Sequence, residues 1–327
     1  MGLTRSRGKI LVIRGGAIGD FILTLPAIAA LRSRFPEAHL EVLGYPHIVQ
    51  LALTAGLVDR VQSIEARALA GFFARNGELD PALTDYFSEF DLVISYLYDP
   101  DEVFKTNVGL CSPGQFIAGA HRPDEREKFH ATRVFLKPLE RLAVFDADPV
   151  PRLFLSPQPP AGPKDGAGGP TRSELALHPG SGSERKNWPE NRWAELLQYL
   201  LHTTRWDLLL IGGEAEGERL QRLAVALPPD RVRVAQSLPL PELGRRLLRC
   251  SGFIGHDSGI SHLAAALGLP GLVLWGDSAE EIWRPPQPNV VVLKGRGGLE
   301  GMSVEEVIRD LAPLLERIAG TGSAGME

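Results

Sequence analysis

Apolar residues along the chain fall into short unbroken runs that alternate with longer stretches of helical spacing. The first run, KILVIR (9–14), is dominated by Ile and Val and predicts a strand buried on both faces. A glycine-rich turn follows it, and residues 21–34 then repeat apolar positions as a helix does. Phe35-Pro36 is a turn signal before a second strand, HLEVLGY, and FDLVISYL (90–97) predicts another buried strand. Residues 98–130 are too mixed to predict an element, and 131–143 return to helical spacing. Strands alternating with helices predict parallel βαβ units.

SPQPPAGPKDGAGGPTRS (156–173) is too rich in Pro and Gly for a core element and predicts a linker between two domains. The alternation then restarts. ELALHPG, WDLLLIGG, GFIGHDSG and GLVLWG predict strands. NRWAELLQYLLHTT, LPELGRRLLRC and SHLAAALGLP predict helices, and 303–318 an amphipathic closing helix. The expected organisation is an α/β domain over 1–155, the linker over 156–173, a second α/β domain over 174–302, and a closing helix and tail over 303–327. In such sheets ligands sit at the carboxyl ends of the strands, where the glycine-rich loops fall.

Composition narrows the class. A chain of 327 residues exceeds one typical core, in keeping with two domains. A net charge of −5 argues against a general nucleic-acid binder. Cys111 and Cys250 lie far apart, outside any CxxC motif, and are expected as reduced thiols, not as zinc ligands. No signal-peptide core precedes Lys9, and no run of about 18 apolar residues predicts a membrane span, so a cytoplasmic protein is expected.

The loops carry the candidate chemistry. GGAIGD (15–20) approaches a dinucleotide fingerprint, but Arg14 occupies the first glycine position. The acid expected at the end of the second strand is also missing, since Glu41 lies at its start and Gly44 ends it. What remains is a tight turn presenting Asp20 at a helix start, as a first-turn acid or as a proton acceptor. HPGSGSERKNWP (178–189) lacks Walker A spacing, yet its Gly and Ser residues can turn backbone N–H groups toward an anion and Lys186 can reach a phosphate.

GHDSGISHLAAALG (255–268) holds Ser, His and Asp too close together for a triad, and no GxSxG elbow is present. His256, Asp257 and His262 could form a metal site. The simpler reading is a helix start whose N–H groups at 258–260 hold phosphate oxygens. Glu214 or Glu216, just past a strand end, could take ribose hydroxyls or be solvated acids. The DxD of Asp146 and Asp148 precedes the linker and reads as a chance match.

Three segments, ILVIRGGAIGDFILTLPAIAALRSRFPEA, LHPGSGSERKNWPENRWAELL and GHDSGISHLAAALGLPGLVLWG, together resemble glycosyltransferase family 9, the ADP-heptose:lipopolysaccharide heptosyltransferases. The resemblance implies a GT-B fold, two Rossmann-like domains facing across a cleft. It also implies an inverting, metal-independent transfer of heptose from ADP-heptose to the inner core of lipopolysaccharide, with no cofactor. Asp20 matches the catalytic base. Lys186, before the Trp-Pro pair, matches a donor-phosphate lysine, and Ser181 and Gly182 lie in the same loop. Glu214 takes the ribose by its offset from the Gly-Gly turn. Asp257, Ser258, Gly259 and His262 match the DSGxxH donor loop.

Gly16 and Gly19 are candidates for acceptor contact. So are Arg122 and His130, in a segment (121–141) with six Lys/Arg and two His against four acids. The expected partners are an ADP-sugar and a lipid-linked saccharide at the membrane surface, on the inner face of the bacterial inner membrane, with no nucleic acid. The alternative is another donor or acceptor within the family, or a non-catalytic nucleotide-sugar binder. The chain departs from the family at Gly15-Gly16-Ala17-Ile18, which is richer in glycine, and at Ile260-Ser261, which replaces a Pro-Met pair.

Overall fold

A computed structural model describes residues 8–156 and 173–323, so nearly all of the expected linker lies outside the described residues. The chain divides into two compact units, Met1–Pro151 and Arg152–Glu327.

The first unit is built on a parallel sheet of five strands: β1 (Lys9–Arg14), β2 (His39–Gly44), β3 (Arg60–Ser63), β4 (Leu92–Ser95) and β5 (Gln115–Ala118), in the order β3-β2-β1-β4-β5. β1 is central, with Val12 aligned to Val42 on one side and Ile94 on the other. Its residues 10–14 are all buried, which is why they form an unbroken apolar run. Leu11, Ile13, Leu43 and Val93 pack on one face against Phe72, Phe87 and Phe104. From β1 the chain winds outward through β2 and β3, then returns to lay β4 beside β1 on the other side. The β1/β4 junction is therefore the point where strand order reverses, the usual ligand crevice of an open α/β sheet.

The second unit holds a parallel sheet of six strands: β6 (Glu174–Leu177), β7 (Asp207–Gly212), β8 (Val232–Gln236), β9 (Gly252–His256), β10 (Gly271–Trp275) and β11 (Val290–Lys294). Their order is β11-β10-β9-β6-β7-β8, so the reversal falls between β6 and β9. Trp188, Trp193, Leu196, Leu197 and Leu200 pack under the sheet with Val307, Leu311 and Leu314 of the closing helix Val304–Ser323. Leu153 and Leu155 are buried in this unit, and Leu153 N–H donates to the Ala266 carbonyl at 2.8 Å. Among the described residues no helix is long and apolar enough to cross a membrane.

The elements differ from the sequence expectation in places with clear causes. The stretch 98–130 contains a helix, Val103–Gly109, and strand β5. After GLVLWG, the last strand the sequence predicts, a further strand β11 follows. β3 and β8 lie at sheet edges and are only partly buried, so no apolar run marks them, whereas the edge strand β11 carries the run VVVL, which the predicted alternation leaves out. Residues 131–143 divide into the α-helix Ala131–Leu136 and a 3₁₀ turn, Lys137–Leu142. The first helix begins at Ile18, three residues earlier than its apolar pattern, which makes Asp20 its third residue.

Candidate active site

At the carboxyl end of β1 the chain must reverse within three residues to enter the helix Ile18–Arg34. Gly16 makes this possible at φ +97°, a conformation that L side chains rarely adopt. A Cβ there would also stand 2.9 Å from Asp20 Oδ2. The Ala17 amide donates to Asp20 Oδ2 at 3.0 Å, so the carboxylate reaches back over the helix start as in half of a capping box. Its other oxygen, Oδ1, lies 3.5 Å from Arg14. The Asp20 side chain retains 29% exposure, and two backbone and ion-pair contacts leave carboxylate lone pairs open to a solvent-side proton donor.

Arg14 closes the buried run of β1, and its side chain is 3% exposed. Burial pulls its guanidinium below the usual range, while Asp20 opposes that shift. The group sits over the Phe135 ring at 4.5 Å and donates to the carbonyls of His121 (2.8 Å), Tyr96 (3.4 Å) and Asp20 (3.4 Å). Its charge is thus compensated by a ring face, three carbonyls and one carboxylate. The sequence marked this position only as a missing glycine. A lone cation ending an otherwise apolar strand was the signal available.

The expected acceptor residues separate on inspection. Gly16 and Gly19 border Asp20, Gly19 within the first helical turn. Arg122 is exposed and pairs with Glu125 at 2.7 Å. His130 caps the helix Ala131–Leu136, accepting from the Thr132 amide at 3.3 Å.

In the second unit the motif loops follow β6 and β9, the two strands flanking the reversal. Asp257 and Lys186 meet there, with Lys186 Nζ 2.8 Å from Asp257 Oδ2. The same oxygen accepts from the Ser278 hydroxyl at 2.6 Å. The Asp257 side chain is 11% exposed and that of Lys186 45%, so the acid is anchored while the ammonium faces outward. An ammonium has three N–H groups, and one suffices for Asp257. Ser258 caps the helix Gly259–Ala266, its Oγ accepting from the Ser261 amide at 3.4 Å. The amides of Gly259 and Ile260, at the first two helical positions, have no carbonyl four residues back. Lys186 and these amides give the loop pair a cationic mouth suited to an anion.

Buried histidines hold the mouth in shape. His256 Nδ1 lies 3.1 Å from the Gly180 carbonyl, and its Nε2 accepts from the Trp188 amide at 2.9 Å. This imidazole fixes both ends of the 180–188 loop to β9. It must be neutral with its proton on Nδ1, and burial pushes its pKa down to about 3. His178 Nδ1 pairs with Ser258 Oγ at 3.2 Å, and burial pushes this histidine down to about 4. The metal reading of His256, Asp257 and His262 is therefore corrected. Both His256 nitrogens serve the backbone, Asp257 serves Lys186 and Ser278, and His262 lies buried within its helix.

Glu216 is buried and takes the amides of Gly182 (3.0 Å) and Gly213 (2.9 Å), while Glu214 is exposed beside it. One acid shapes the loop and the other faces solvent at the strand end. Gly180 lies so close to Glu216 that an added Cβ would overlap its side chain. The Ser181 hydroxyl lies within bonding distance of the Ser183 carbonyl (2.9 Å) and Asn187 Oδ1 (2.8 Å), and Gly182 has φ +74° over open space. Arg14, His178 and Ser278 were missed by sequence reasoning, since each acts through a partner distant in the chain.

Comparison with known proteins shows what the chain and its fold are similar to. The chain is 22% identical over 300 residues to lipopolysaccharide heptosyltransferase 3 of Escherichia coli, covering 84% of this chain and 85% of that protein. Its fold matches E. coli ADP-heptose lps heptosyltransferase II with a TM-score of 0.75 at 18% identity, over 94% of this chain and 99% of the other. It also matches E. coli heptosyltransferase WaaC with ADP at a TM-score of 0.71 and 19% identity, over 93% and 99%. These likenesses establish the GT-B fold. The sequence profile of glycosyltransferase family 9 (heptosyltransferase) matches residues 145–302, so this part of the chain carries the domain of that family.

Proposed function

We propose that the protein transfers a heptose from ADP-heptose to the inner core of lipopolysaccharide, with inversion and without a metal ion. The observation that carries the reading is the meeting of Lys186, Asp257 and the Ser258-capped helix start at the strand reversal of the second unit. A diphosphate is the ligand such a mouth fits, and a structural neighbour is described with ADP.

In this mechanism the acceptor hydroxyl attacks the anomeric carbon from the face opposite ADP. Its proton passes to Asp20, the sugar–phosphate C–O bond breaks, and the electron pair leaves with ADP. One displacement inverts the anomeric centre. A positioned general base contributes about 10²–10⁴-fold in rate. Lys186 and the amides at the start of the helix Gly259–Ala266 take up the charge growing on the leaving diphosphate, the role a divalent ion fills elsewhere. Asp257 holds the ammonium in place and does not itself face the phosphates. Glu214, the exposed acid at the end of β7, is the candidate for the ribose hydroxyls.

The sugar donor is handled on the cytoplasmic side, and the lipid-linked acceptor at the inner face of the inner membrane. The test is a panel of nucleotide sugars scored by thermal stabilisation and by transfer to lipopolysaccharide lacking heptose. Stabilisation and transfer with ADP-heptose are expected. Preference for another nucleotide sugar, or binding without transfer, would replace this reading with a different donor or a non-catalytic binder.

A further inference from the structure

Tyr98 stands at the carboxyl end of β4, at the strand reversal of the first sheet, and its side chain is unusually open for an aromatic residue there, at 71% exposure. It is not a mobile ornament. The next residue, Asp99, accepts from the amides of Phe104 (3.1 Å) and Lys105 (3.0 Å) and fixes this stretch to the helix Val103–Gly109. The Tyr98 ring meets the His121 ring at 4.7 Å and 61°, edge to face.

His121 follows β5, and its carbonyl accepts the 2.8 Å hydrogen bond from Arg14. The same buried guanidinium contacts Asp20. Loops from three adjacent strands, β1, β4 and β5, are therefore tied together by one cation, with a carboxylate at one side and an open aromatic face at the other.

We propose that Tyr98, backed by His121, is the acceptor platform: the saccharide stacks its C–H face on the phenol ring and presents a hydroxyl to Asp20. This rests on the reading of Asp20 as the base. The physical warrant is that sugar C–H bonds carry slight positive charge and the ring face is negative, so the two surfaces attract while both shed water. The phenol O–H adds a donor for a sugar hydroxyl at the ring edge. Arg14 is then a positioning residue, holding base and platform in one frame.

Binding of deacylated lipopolysaccharide core oligosaccharide, measured by saturation-transfer NMR, tests the proposal without using turnover. Tyr98→Ala should weaken that binding by about tenfold or more, the order expected for loss of an aromatic stacking surface. Tyr98→Phe should restore most of it, and ADP affinity by calorimetry should stay unchanged in both. Undiminished oligosaccharide binding in Tyr98→Ala, or no binding by the wild type, overturns the proposal. A loss confined to ADP would assign the ring to the nucleotide and overturns it too. Failure of the base reading is seen separately, as an Asp20→Asn variant that keeps its turnover while the Tyr98 binding results stand.

Discussion

Lys186→Ala isolates the charge at the mouth of the second unit. In the folded chain Lys186 gives one N–H to Asp257 at 2.8 Å and leaves its outward side for a ligand. Hydrogen bonds to a charged partner contribute about 1.5–3 kcal/mol, so ADP affinity should fall roughly 10- to 150-fold. The loss should lie near the upper end, because the Asp257 charge is then left uncompensated beside the mouth. Lys186→Ala/Asp257→Asn should accordingly recover part of the affinity. Folding is a separate matter. With Lys186 45% exposed, solvent screens the pair, and its removal should cost less than about 1 kcal/mol of stability. Calorimetric titration of ADP into the wild type and both variants, with melting curves in parallel, gives each quantity. Unchanged ADP affinity in Lys186→Ala would refute the reasoning and leave Lys186 a solvated partner of Asp257.

Other consequences follow from the same contacts. Stability should decline as pH falls from about 6.5: His178 is depressed from 6.5 to about 4, so the unfolded chain takes up that proton first, and by pH 4 this group alone accounts for a loss of roughly 3 kcal/mol, to which His256 adds. Urea denaturation at stepped pH, with His178→Gln flattening the slope, checks this; an unchanged slope contradicts it. Gly16→Ala should cost about 1–3 kcal/mol from its positive φ and displace the Asp20 carboxylate 2.9 Å away, lowering turnover but not ADP affinity. Full activity in that variant would mean the turn is more tolerant than its geometry indicates. Activity should survive excess EDTA, and a loss restored by magnesium or manganese would show that Lys186 and the helix start are not sufficient for the leaving group.

The central strands were legible because burial on both faces forces an apolar run, as in 9–14 and 207–212. Edge strands β3 and β8 were not, since half-exposed positions admit Arg and Gln; β11 carries the run VVVL and was legible in principle. Among the candidate residues, the loops that carry Lys186, Asp257 and Ser258 could be picked out from the sequence, and the structure brings Lys186 to Asp257 and caps a helix with Ser258. The sequence did not separate Glu214 from Glu216. That distinction depends on the Gly182 and Gly213 amides, one of them in another loop. Arg14 and His121 were beyond reach for a similar reason. Their hydrogen bond joins residues 107 positions apart, and nothing local to either announces it.

Asp20→Asn tests the central claim most directly. Asn keeps the size of the side chain and can still accept from the Ala17 amide, but it has no basicity at neutral pH. Steady-state transfer from ADP-heptose, measured per folded molecule alongside Tm and ADP affinity, should show kcat reduced by at least about 10²-fold. Tm should stay within a few degrees and ADP affinity should be unchanged. Retained turnover with a lowered Tm would contradict the account and make Asp20 a helix-start acid whose role is structural.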